Sequence, residues 1–99
     1  MNSVNLIGNI CNDWDYQTTE KGKIYAKNTV AVRKNKDTSI FIPVRVWGGT
    51  VEIVEKYTKK GDKVGLSGKL DVYSYEKDNQ KQYYTYININ EIHLIERRS

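Results

Sequence analysis

At 99 residues the chain has room for one domain with a modest core. Sixteen Lys and Arg against twelve Asp and Glu leave a formal charge of +4, a mild surplus that favours an anionic partner without requiring one. A single Cys and a single His exclude an internal disulfide, a cysteine-built zinc site and a histidine pair for metal or acid–base work. No apolar run approaches the ~20 residues of a membrane span. The opening MNSVNLIGNI lacks the basic-then-apolar order of a signal peptide. The expectation is a soluble intracellular protein, with no repeat, no linker and one domain over residues 1–99.

The aromatic content is unusual: eight Tyr and two Trp against one Phe, rings with a polar handle that suit half-wet faces. Most of the chain alternates with period two, the mark of half-buried strands. The first run is Asn2 to Ile10, with Val4, Leu6 and Ile10 in phase. Asn12 to Gly22 is polar and turn-rich. Trp14 stands there between Asp13 and Asp15, as a loop anchor rather than a DNA contact. The second run, Ile24 to Arg33, sets Ile24, Ala26, Val30 and Val32 on one face, and Lys34 to Thr38 makes a polar hairpin loop. In the third run, Ser39 to Trp47, Ile40, Ile42, Val44 and Val46 point one way while Phe41, Pro43, Arg45 and Trp47 point the other.

After Gly48-Gly49 the period changes. Over Thr50 to Lys60, Val51, Ile53, Val54 and Tyr57 gather on one helical side, and Gly61 after two lysines ends the helix. The fourth run, Lys63 to Tyr75, has Val64, Leu66, Leu70 and Val72 in phase with a bend at Gly68. Glu76 to Lys81 reads as a second charged hairpin loop. The fifth run spans Gln82 to about Ile95, and its phase slips near Asn90, which predicts a bulge. Five strands with one helix between the third and fourth describe an all-β OB-fold, a five-stranded Greek-key barrel.

The outer face of the third run carries the sharpest signal. Phe and Trp in water do nothing for a lone barrel, so this face packs against another subunit or a returning loop, or takes bases. Interleaved rings and cations match a single strand of nucleic acid, whose every base has a π-face and every linkage a charge. Arg45 between the rings argues for the strand, because a dry subunit interface would have to desolvate that cation. The fourth run repeats the pattern more weakly, with Lys69, Asp71, Tyr73 and Tyr75 opposite its apolar stripe. Arg33, Lys34 and Lys36 make the first hairpin basic, and Lys77 and Lys81 the second. Tyr83, Tyr84 and Tyr86 read as packing residues of the fifth strand. No residue pattern supports catalysis, a metal site or a nucleotide cradle, so no catalytic residue, metal or cofactor is expected.

These segments resemble the bacterial and phage single-stranded DNA-binding proteins along nearly the whole chain. The matching stretches are MNSVNLIG, AKNTVAV from Ala26 to Val32, and FIPVRVWGGTVEIVEKYTKKGDKVGLSGKL from Phe41 to Leu70. YTYININEIHLIE from Tyr84 to Glu96 completes them. The resemblance implies sequence-tolerant binding of single-stranded DNA in replication, recombination or repair, on the nucleoid of a bacterial cell or a phage-infected host. It implies stacking at Phe41, Trp47 and Tyr75 and backbone contacts from Arg33, Lys34 and Lys36. It also implies a homo-oligomer, a tetramer ahead of a dimer. Asn9 stands where an arginine is common, and the region after the second run lacks an expected aromatic; both imply fewer contacts. Full-length bacterial members carry a disordered tail with an acidic tip, whereas this chain ends in Arg97-Arg98-Ser99 and matches a short form without it. A primosomal-type OB accessory protein that binds a replication partner as well as DNA is the alternative. A cold-shock RNA-binding domain is a third reading, and the helix and the missing KGFGF motif argue against it.

Overall fold

The computed structural model describes residues 1–97, so Arg98 and Ser99 of the basic ending lie outside the described residues. Six strands and one helix follow in the order β1 (Val4–Ile10), β2 (Asp15–Thr18), β3 (Ile24–Arg33), β4 (Ser39–Trp47), α1 (Gly49–Tyr57), β5 (Lys63–Lys77) and β6 (Gln80–Glu96). The sheet order is β1-β5-β6-β4-β3-β2, and β1 also pairs with β3 through Asn9 and Ile10, which closes five strands into a barrel. Closure is partial: it joins β1 to β3 only at Asn9 and Ile10 and leaves the rest of β1 as an edge. The β4–β6 pair is parallel and the others are antiparallel, the Greek-key arrangement expected of the OB-fold.

The sixth strand was not anticipated. The Asp15–Thr18 segment is exposed throughout and has no apolar alternation, so only its pairing with Ile24–Lys27 reveals it as β2. The second charged loop is also tighter than expected. Strand pairing runs to Lys77 and Gln80, leaving Asp78 and Asn79 alone in the turn with φ of 54° and 63°. Positive φ at both central residues is the two-residue turn that matches strand twist, and Asp and Asn tolerate it. The bend at Gly68 and the slip near Asn90 prove to be one feature. Ser67 faces Glu91 and Gly68 faces Ile89, so Asn90 bulges out. A Cβ at Gly68 would collide with the Asn88 carbonyl, which is why glycine stands there.

The core sits where the stripes of β3, β4, β5 and β6 converge: Ala26, Val30, Val44, Val46, Val64, Leu66, Ile87 and Ile89 are buried. Val51 and Val54, three apart on one side of α1, cap it. On α1, Ile53 and Tyr57, expected beside them, are exposed, since the short helix covers the barrel with one narrow side; the strand phases read from the sequence hold, but depth fades along each stripe. Ile24 and Ile40 are exposed, and so are Leu70 and Val72 beyond the bulge. From Lys69 the β5–β6 hairpin leaves the barrel as an arm, with every β5 residue of that part exposed. Trp14 is the anchor expected of it. It is buried, and its indole N–H donates to Thr58 Oγ1 at 3.1 Å, while the Thr58 hydroxyl donates to the Val54 carbonyl at 2.6 Å. The β1–β3 connection is thereby tied to the end of the helix.

Candidate nucleic-acid interface

Alternation puts the odd-numbered residues of β3, β4 and β5 and the even-numbered ones of β6 as far as Asn88 on one outer face. Register then decides who meets whom. Tyr25 faces Trp47 and Lys27 faces Arg45 across β3–β4. Arg45 pairs with Asn88 across the parallel β4–β6 ladder. Asn88 faces Lys69, Tyr86 faces Asp71 and Tyr84 faces Tyr73 across β5–β6. A single face thus runs across four strands and out along the arm.

The rings on it touch. Tyr25 stacks on the Trp47 indole with centroids 4.6 Å apart and planes at 24°. Tyr73 lies 5.2 Å from Tyr84 and 6.0 Å from both Tyr75 and Tyr86. Arg45 links the two groups, its guanidinium 4.3 Å from the Tyr86 ring centre, 5.1 Å from Tyr73 and 5.4 Å from Tyr25. A planar cation over ring faces is held by cation–π attraction and gives up rotamer freedom to it. Tyr86, 7 % exposed, is the floor of the group. Burial, then the nearby Asp71 carboxylate, raises the Tyr86 phenol above its usual pKa, and Arg45 only partly opposes them. The phenol therefore keeps its proton at neutral pH and donates to Asp71 Oδ2 at 3.3 Å. Asn88 also donates to Asp71 Oδ2, at 2.9 Å, and its Oδ1 accepts from the Trp47 indole at 3.0 Å.

The face is a row of flat rings spaced by cations and carries no reactive constellation. Among the described residues no group of three or more His, Cys, Asp and Glu is placed to hold a metal ion. His93 lies on another face beside Glu91, at 3.6 Å. Among the described residues no helix is long and apolar enough to cross a membrane.

Known proteins resemble this chain along nearly its whole length. The profile of the Single-strand binding protein family matches residues 1–95. The chain belongs to that family. Single-stranded DNA-binding protein 1 of Clostridium acetobutylicum is 34% identical over 106 residues, covering 99% of this chain and 96% of that protein. The single-stranded DNA-binding protein of Onion yellows phytoplasma is 39% identical over 77 residues, covering 76% of this chain and 74% of that protein. The crystal structure of the mitochondrial single-stranded DNA binding protein Rim1 from S. cerevisiae superimposes with a TM-score of 0.82, covering 97% of this chain and 96% of that one. Identity there is 17%, so that likeness establishes the fold alone. Family membership carries single-stranded DNA binding as the function, with no catalytic activity.

On this single-strand binding domain the residues singled out in the sequence fall into three groups. Trp47, Arg45, Tyr73 and Tyr75 belong to the aromatic cluster, and Lys69 is placed beside it through Asn88. Phe41 is 66 % exposed on the same strand face but six residues from Trp47, about 20 Å at ordinary strand rise. It lines a separate groove with Asn9, Cys11, Lys60, Lys63 and Glu96. Arg33 ends β3, and Lys34 and Lys36 lie in the hairpin loop beyond it, all exposed. Asn35 shapes that loop, its Oδ1 accepting from the Asp37 and Thr38 amides at 3.0 and 3.1 Å.

The sequence reading passed over Tyr25, Lys27 and Asn88. Tyr25 and Lys27 were legible, since they alternate with Ala26 on the face opposite the core. Tyr84 and Tyr86 were assigned to packing, yet both join the face, while Tyr83 points to the other side of the arm with its ring 5.8 Å from Lys81 Nζ. The two-residue turn at Asp78-Asn79 is the signal that could have placed them, because the register from Lys77 and Gln80 runs unbroken to Tyr73 and Tyr84 and to Asp71 and Tyr86, on the turn side of the Asn90 bulge.

Proposed function

We propose that the four-strand aromatic face is where single-stranded DNA lies, stacked on Trp47, Tyr73 and Tyr75 and reaching Phe41 at the far end of β4. The observation that carries this is the continuous contact from Tyr25 and Trp47 through Arg45 to the tyrosines of the arm. Each exposed ring offers a base-stacking platform without sequence preference. With Tyr25 on one side, Trp47 offers a base only its other side. Arg45 and Lys69 stand within the row, and Arg33, Lys34 and Lys36 extend it beyond Phe41 as cations for phosphates. Duplex DNA hides its base faces and binds poorly. The cellular setting is DNA replication, recombination or repair on the bacterial nucleoid or in a phage-infected host.

The outer face of β1, β5 and β6 supports a homo-oligomer. Ile7 and Ile95 are exposed and flank the bare backbone of Gly65. On its side away from β5, β1 pairs only at Asn9 and Ile10, so Val4 to Gly8 present an open edge. An open edge beside an apolar patch is a template for a second copy. A dimer forms by that contact, and the tetramer by a further one.

Titration with poly-dT of graded lengths, following Trp fluorescence and complex mass together, tests all of this. Saturable binding, a length threshold and a mass of several copies are expected. A monomer that ignores poly-dT but captures a replication protein would favour the accessory-protein reading. A second expectation concerns the basic hairpin. For single strands, log K falls against log salt by about 0.7 per neutralised phosphate. Neutralising Arg33 and Lys34 together makes that slope shallower for every sequence, and an unchanged slope removes the hairpin from the interface.

A further inference from the structure

A carboxylate in the middle of a DNA-binding face works against the binding of phosphates, and Asp71 is such a carboxylate. It faces Tyr86 across the ladder, and its side chain stands among the residues that position Trp47. Among the described residues it forms no ion pair, so it is not the counter-charge of Arg45. Its oxygens are instead taken up by hydrogen bonds. Oδ1 accepts from the Val72 amide at 2.8 Å, and Oδ2 accepts from Asn88 Nδ2 at 2.9 Å and from the Tyr86 hydroxyl at 3.3 Å. An ionised carboxylate only accepts, and an indole N–H only donates. Between them the Asn88 amide has one consistent orientation: its NH₂ toward Asp71, and its oxygen toward the Trp47 N–H 3.0 Å away. Without Asp71 the amide is free to turn, and the other orientation puts a donor against the indole donor.

We propose that Asp71 is a positioning residue, which sets the Asn88 amide and through it holds the Trp47 ring in the orientation that receives a base. The inference rests on Trp47 lying in the interface. Asp71 acts at one remove and touches no DNA. Its negative charge is a drawback accepted for an acceptor that cannot reverse its role.

Two variants with the same charge separate position from charge. Asp71→Asn and Asp71→Leu each remove one negative charge, but only the first keeps an oxygen for Asn88. A carboxylate acting by charge alone gives two variants of equal affinity for oligo-dT, both tighter than wild type. On the positioning role Asp71→Asn binds at least as tightly as wild type, while Asp71→Leu binds roughly three- to tenfold weaker than Asp71→Asn, the range set by one ordinary hydrogen bond. The salt slopes of the two agree. A swap supplies the rescue: Asn88→Asp alone sets two carboxylates against each other and weakens binding, and adding Asp71→Asn restores affinity to within about twofold of wild type. In a Trp14→Phe background, the emission of free Trp47 shifts in Asp71→Leu and returns to the wild-type position in the swap. Equal affinities for Asp71→Asn and Asp71→Leu, or a swap that does not rescue, overturn the role while a weakened Trp47→Ala leaves the interface standing. If Trp47→Ala binds like wild type, both fall.

Discussion

Trp47→Ala weakens binding to oligo-dT about tenfold to a hundredfold at fixed salt. Stacking of one base on an aromatic contributes roughly 1–3 kcal/mol, which converts to a loss of that size. The ring is half-buried, with Tyr25 against one face and its N–H held by Asn88. Its loss therefore also frees Tyr25 to move over the vacated position. Folding is less affected, because the side chain lies on the outside of the barrel opposite Val46, which is fully buried. A truncated core Trp would lower stability by roughly 3–5 kcal/mol, and Trp47→Ala falls well short of that. The salt slope stays as in wild type, since no charge is removed. Filter binding or fluorescence anisotropy across a salt series, with a thermal melt of each variant, measures all of this. Intact affinity combined with unfolding or subunit dissociation makes the ring structural, and the DNA path would then have to run over Tyr73 and Tyr75.

The other tryptophan gives the opposite result. Trp14 is 8 % exposed, and its N–H bonds Thr58 at the end of α1. Trp14→Ala removes a large buried ring, leaves the Thr58 hydroxyl without that donor, and lowers stability by about 3–5 kcal/mol. For a domain of this size each ~1 kcal/mol moves the melting temperature by roughly 4–8 °C. The variant thus loses a large part of the ~5–15 kcal/mol that ordinary domains have. Below its melt the folded fraction binds DNA as wild type does, because Trp14 touches none of the aromatic face. Trp14→Phe keeps most of the packing and costs only about the net worth of one hydrogen bond, ~1 kcal/mol. Chemical denaturation of the three forms, with affinity measured under native conditions, checks the separation. A Trp14→Ala protein of normal stability but impaired binding would place this indole in the interface after all.

Much of this was present in the residue order. Alternation along Ser39 to Trp47 separated the core side of β4 from its outer side, and Val44 and Val46 are indeed buried while Phe41 is exposed. Period two ends where the glycine pair Gly48-Gly49 turns the chain into a helix whose Val51 and Val54 are buried. Failures came where alternation has nothing to report. The Asp15–Thr18 strand is exposed on every residue, so no apolar phase marks it, and only its ladder to β3 defines it. The stripe of β5 continues in phase through Leu70 and Val72, but the barrel has ended by then.

The sequence by itself determined that the chain is mostly β with one helix, that one strand face is aromatic and cationic, and that the family is one that binds single-stranded DNA. Those properties reside in periodicity, in residue type and in motifs contiguous along the chain. Tertiary structure decided how the rings combine. Tyr25, Arg45, Tyr73 and Tyr86 come from four different strands, and they meet only because barrel closure and the parallel β4–β6 ladder set their register. The relay from Asp71 through Asn88 to Trp47 is likewise invisible in the residue order, since the hairpin turn sets Asn88 beside Asp71 but only the parallel β4–β6 ladder brings it to Trp47. Alternation says which side of a strand a residue occupies, but a one-residue change of register changes every cross-strand neighbour, and that register is set by packing of the whole barrel.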